Sequence, residues 1–144
     1  MPDYGDPAVE EQWCDERRSQ VVSYLSDEGI EHGRVGDWPA WHVAPYVSVW
    51  AIESLKMPDS VGWWVICGDL PTDYVSASNA IDPRGAVREI ANRWRELAPY
   101  MERGEEHPEL SVGAPENWAE VAPLLRARVD LLQGWVEDDG IWPD

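Results

Sequence analysis

The sequence predicts an α+β domain: an N-terminal helix, a central antiparallel hairpin or three-stranded sheet, and two C-terminal kinked helices packed on one face. Three observations carry this. Residues 7–28, 83–103 and 115–138 repeat apolar side chains at helical spacing, each opened by a proline (Pro7, Pro83, Pro115). Residues 46–54 and 61–67 are rich in Val, Ile and Trp and flank a Pro58-Asp59 turn. The chain has 144 residues, 44% of them hydrophobic, which supports one core without disulfides or metal and falls short of two. A single domain over residues 1–144 is therefore expected, with residues 1–6 a flexible N-terminal tail.

In the first helix Asp6 is placed to cap and Glu10 and Glu11 sit in the first turn, where the helix dipole favours acids. Val9, Trp13, Val21, Tyr24 and Leu25 share a stripe with the stem of Arg17, and Gly29 supplies the left-handed stop. Residues 29–45 read as an ordered connection, because Gly29, Gly33, Gly36, Pro39 and Pro45 break every period. In the hairpin, alternation puts Trp50 and Ile52 on one face and Val47, Val49 and Ala51 on the other. Trp63, Val65 and Cys67 then oppose Trp64 and Ile66. Both faces are apolar, so the sheet is expected to be covered, at least in part, on both sides. A short third strand, 73–77, follows the turn at Gly68–Thr72.

The helix at 83–103 has the cleanest stripe: Val87, Ile90, Ala91, Trp94, Leu97, Ala98 and Met101. Pro99 removes a backbone bond and predicts a kink or a restart, and Pro123 does the same in the helix at 115–138. That last helix ends in Asp138-Asp139, acids where the dipole disfavours them.

The net charge is −17, with 28 acids against 11 bases. Acids dominate 1–31 and 104–144, while 84–103 carries five Arg against three Glu. Such a field repels nucleic-acid backbones and anionic membranes, so neither is expected as a direct partner. A partner with a basic surface, mimicry of a nucleic acid, or simple solubility are the electrostatic options. The acidic start lacks an apolar signal core, and no run is long enough to span a bilayer. With two cysteines only, Cys14 and Cys67 are expected reduced in a bacterial cytoplasm.

No catalytic signature stands out. Cys14, His32, His42, Cys67 and His107 lack zinc-ligand spacing, so no metal and no cofactor is expected. Ser48 and Ser54 stand in no nucleophile-elbow pattern. The Arg84, Arg88 and Arg95 strip either binds an anion or pairs with nearby acids. Weak acid–base candidates are Asp69 and Asp73 in the loop after a core strand, with His42 and, close by, Asp37 and Glu53. The same two aspartates also fit as turn-capping residues. The most distinctive stretch is Asp37–Tyr46, in which Trp38, Trp41, His42 and Tyr46 are candidate binding residues, or the cap on one end of the core.

Glu11-Gln12-Trp13-Cys14, Gly36-Asp37-Trp38-Pro39-Ala40-Trp41-His42-Val43-Ala44-Pro45-Tyr46-Val47-Ser48 and Gly68-Asp69-Leu70-Pro71-Thr72-Asp73-Tyr74 resemble a family of small bacterial single-domain proteins of unknown function. The likeness runs from about Glu10 to Trp142 and implies one domain; it brings no activity, cofactor or catalytic residue. The leading expectation is a non-enzymatic protein-binding module. A first alternative is a small hydrolase or isomerase using Asp69, Asp73 and His42, which requires those side chains to meet within about 10 Å in one pocket. A second is an acidic mimic of nucleic acid that inhibits a host or phage enzyme, which requires the acids of 1–31 and 104–144 to form one stripe.

Overall fold

The computed structural model describes residues 3–110, 112 and 115–142. Helix α1 (Pro7–Asp27) is followed by strands β1 (Trp41–Val43), β2 (Val47–Glu53), β3 (Val61–Gly68) and β4 (Leu70–Ser76), then helices α2 (Pro83–Glu102) and α3 (Trp118–Val136). Single 3-10 turns at Pro115–Asn117 and Asp139–Ile141 flank α3. The strands form one antiparallel sheet in the order β1-β2-β3-β4. The α+β class stands, with the two C-terminal helices packed together on one sheet face.

The sheet is the middle of three layers, and its alternation decides what each layer touches. Val47, Val49, Trp64, Ile66 and Val75 point to the α2–α3 pair and meet Val87, Ile90, Trp94, Leu125 and Leu132. Trp50, Ile52, Val65 and Cys67 point the other way and meet Val21 and Leu25 of α1. The strand assignments predicted both faces correctly, because a buried strand of this length has only two ways to face. On the α1 side the core contains a polar relay. The Trp50 indole N–H donates to Ser48 Oγ at 2.9 Å, and Ser48 donates to the Cys67 carbonyl at 3.0 Å. All three residues are fully buried, so this relay satisfies groups that water does not reach.

Several boundaries differ from the sequence reading, each for a local reason. Residues 41–43, expected to be connection only, form edge strand β1; the flanking Pro39 and Pro45 leave a paired stretch too short to show a period. Residues 33–36 extend the same edge, with Gly33 and Gly36 N–H donating to Glu53 and Ala51 carbonyls. The last strand starts at Leu70, not Asp73, because Gly68 at φ 143° reverses the chain at Asp69. A Cβ at Gly68 would lie 2.5 Å from the Tyr46 carbonyl oxygen. Pro71 fits inside β4 because that strand is the outer edge. Both Pro99 and Pro123 lie within continuous helix, so neither restarts it.

Asp6 and Asp82 cap their helices as expected, accepting from Ala8 and Gly85 N–H. Residues 3–6 form a turn that leads into Asp6, and the other two residues of the expected tail lie outside the described residues. The acids at the end of α3 also find their explanation. Arg84 of α2 donates twice to the Val136 carbonyl, at 2.9 and 2.7 Å, and once to Asp139 at 2.6 Å. A guanidinium from another helix thus supplies the positive charge that the α3 terminus lacks in its own sequence.

Candidate functional site

The aromatic segment runs along the β1 edge, and register splits it between the two faces. Trp41 lies opposite Val49 and faces α2–α3, while His42 lies opposite Ser48 and faces α1. Trp41 is 7% exposed. Its ring stacks on Trp142 with centroids 4.1 Å apart and meets Trp135 edge-on at 5.9 Å. Its indole N–H donates to the Ile141 carbonyl at 3.2 Å, and Trp142 donates to the Trp135 carbonyl at 2.8 Å. This cluster pins the C-terminal turn onto the sheet edge. Tyr46 stands at its rim, 49% exposed, 6.5 Å from Trp135.

On the α1 side the arrangement is open. Trp38 is 46% exposed although its ring stands edge-on to His42 at 5.5 Å. His42, with 16% of its side chain exposed, places Nε2 3.3 Å from Glu10 Oε2 and lies over Trp13 at 6.3 Å. The guanidinium of Arg17 covers Trp13 at 5.6 Å. Asp37 is fully exposed beside Trp38, and Arg18, 4.0 Å from it, anchors the segment by donating to the Gly36 and Val35 carbonyls. The result is an indole standing on an imidazole that itself reaches the Glu10 carboxylate, with Asp37 the residue before the indole. In sequence Glu10 reads only as a first-turn acid and Trp13 as part of the apolar stripe, and Glu10 and His42 are 32 positions apart.

The acid–base candidates do not meet. His42 sits on β1 and faces α1; Asp73 sits on β4 and faces α2. Three strand spacings separate those edges, about 14 Å, with the sheet between the two side chains. Asp73 is buried, accepts from the Trp94 indole N–H at 2.9 Å and from the Tyr74 N–H at 2.8 Å, and its carboxyl is pushed up by burial. Asp69, at the β3–β4 turn, is bound to Arg128 of α3 at 2.9 Å. Each candidate therefore has its own structural partner. Of the two acidic segments, α1 packs on one face of the sheet and α3 on the other.

A groove of about 320 Å³ opens at the far end of the β1 edge, lined by residues that include Arg34, Asp37, Ala51, Glu53 and Asp59. Glu53 accepts from the Arg34 and Asp59 N–H groups at 3.0 and 2.9 Å, and these bonds hold its carboxyl below the usual range. It ties the 33–34 segment to the hairpin turn, and the lowered carboxyl makes it a weak base. Burial pushes the Cys14 thiol up to about 11, helped by Glu10 and Asp15, and raises that of Cys67 as well. Neither is an activated nucleophile. Among the described residues no group of three or more His, Cys, Asp or Glu is placed to hold a metal ion, and no helix is long and apolar enough to cross a membrane. Of the arginine strip, Arg84 caps α3 and Arg95 reaches Asn92.

A family model described as a domain of unknown function (DUF4826) matches residues 8–142. No curated protein and no solved structure matches the chain.

Proposed function

The chain belongs to the DUF4826 family, a domain of unknown function, and we propose that it is a non-enzymatic protein-binding module of the bacterial cytosol whose partner presents a basic segment. The observation that carries this is Trp38: a large indole left half-exposed, yet held in place by His42, which pairs with Glu10, and preceded in the chain by the exposed Asp37. A cation over an indole face gains from the ring quadrupole, and nearby carboxylates add Coulomb attraction. Because His42 and the Arg18-anchored backbone fix the segment, little side-chain freedom is lost on binding. The charge of −17 steers a basic partner toward the molecule and repels acidic ones. The two free, buried thiols fit a reducing compartment.

The test separates the site from the general field. An arginine-rich peptide is titrated against the wild type and Trp38→Ala, which changes no charge. The expected result is a loss of affinity of about tenfold or more in the variant, the size of a hot-spot truncation. Equal affinities would mean that the peptide responds to net charge alone, and the site assignment fails.

A further inference from the structure

We infer that the Trp38 site is proton-coupled: a proton on His42 competes with the partner's cation for the Glu10 carboxylate. This rests on the binding reading above and names how the same site is regulated. His42 is the wall on which Trp38 stands, and its Nε2 is the atom that faces Glu10. With a neutral imidazole, Glu10 keeps a full negative charge beside the ring that carries the indole. With an imidazolium, His42 and Glu10 form an internal ion pair and that charge is cancelled. A cationic side chain arriving over Trp38 then meets a positive ring 5.5 Å behind the indole in place of a net negative pair.

Charged and titratable groups face His42 from each element packed around it. From α1 the ring faces Glu10 and Trp13, with Arg17 beyond Trp13 and Glu16 on Arg17 at 3.6 Å. Cys14, the residue after Trp13, is a buried thiol pushed up to about 11 and stays neutral. From the 33–40 segment the charged groups are Asp37 and Arg18, which hold each other at 4.0 Å. From β2 the opposing residue is Ser48. The other histidines serve elsewhere: His32 contacts the Gly33 carbonyl, and His107 accepts from the Glu109 and Leu110 N–H groups while reaching Glu96.

The probe is an arginine octapeptide, whose guanidinium charge does not change with pH. Its affinity is measured at constant ionic strength at about pH 8 and about pH 5.5, for the wild type, His42→Asn, Glu10→Gln and Trp38→Ala. One unit charge within several ångströms of the ligand near a protein surface changes affinity by about three- to tenfold, so the wild type is expected to bind that much more weakly at the lower pH. Between those two pH values binding should release protons, read by calorimetry in buffers of differing ionisation heat. His42→Asn should bind equally at both pH values, and Glu10→Gln should bind at about pH 8 as weakly as the wild type does at about pH 5.5. A wild type that is indifferent to pH, or a His42→Asn that keeps the wild-type ratio, overturns the proton coupling while leaving the binding reading intact. Trp38→Ala binding as tightly as the wild type at about pH 8 overturns the binding reading itself, and the coupling with it.

Discussion

Two tryptophans three residues apart, Trp38 and Trp41, should respond very differently to truncation. A tryptophan side chain of about 230 Å² that is almost wholly buried is worth roughly 5 kcal/mol at about 25 cal/mol per Å², and measured Trp→Ala losses run about 3–5 kcal/mol. Trp41 is 7% exposed, so Trp41→Ala is expected in that range. It also loses the stack on Trp142 at 4.1 Å and the bond to the Ile141 carbonyl. Trp38 keeps 46% of its surface in water. Roughly half the area gives an upper figure near 3 kcal/mol, and because extended-chain areas overstate burial, about 1–2 kcal/mol is expected. Urea denaturation of the two variants reads the difference directly, at unchanged slope. Trp41→Ala should shift the midpoint at least twice as far as Trp38→Ala. Equal shifts, or a larger one for Trp38, would refute the division of the segment into a core cap and an open indole.

Other perturbations follow from the same geometry. Ser48→Ala leaves the Trp50 indole N–H without an acceptor in a dry core, so a loss of about 1–3 kcal/mol is expected in denaturation; a change within about 0.5 kcal/mol would show that another acceptor takes over. Burial raises the Asp73 carboxyl, so between the ordinary carboxylate range and that raised value the folded state keeps a proton that the unfolded chain has released. Stability attributable to Asp73 therefore falls as pH rises. The stability of Asp73→Asn relative to wild type should improve from about pH 4 to about pH 7, and a difference independent of pH contradicts this sign. Cys14 and Cys67, both buried with raised thiols, should react with an alkylating reagent at about pH 8 only as fast as the fold opens; labelling at the rate of a free thiol would contradict their placement.

What was legible in the sequence is what a single element dictates. The proline and aspartate at each of the first two helix starts, the Val87–Met101 stripe and the opposed faces of Trp50 and Val49 all come from local periodicity and capping. What was hidden depends on two elements meeting. Arg84 finds Val136 across 52 residues, and Trp94 finds Asp73 across 21. Neither pair leaves a spacing rule, since a guanidinium or indole accepts many partners. The β1 strand escaped because three paired residues between Pro39 and Pro45 are too few to display alternation. The candidate site was half visible: Trp38 and His42 belong to the distinctive segment, whereas Glu10 and Trp13, from α1, join them only through the fold.

The indole N–H resonances of the ten tryptophans give the most direct reading of the binding site, followed by NMR as the arginine octapeptide is added. The Trp38 signal should move first and furthest, with Trp13 following, while the buried Trp50, Trp64 and Trp94 stay in place. A titration that shifts backbone signals along α3 and leaves the Trp38 indole unmoved would place the contact on the acidic helices and contradict the site.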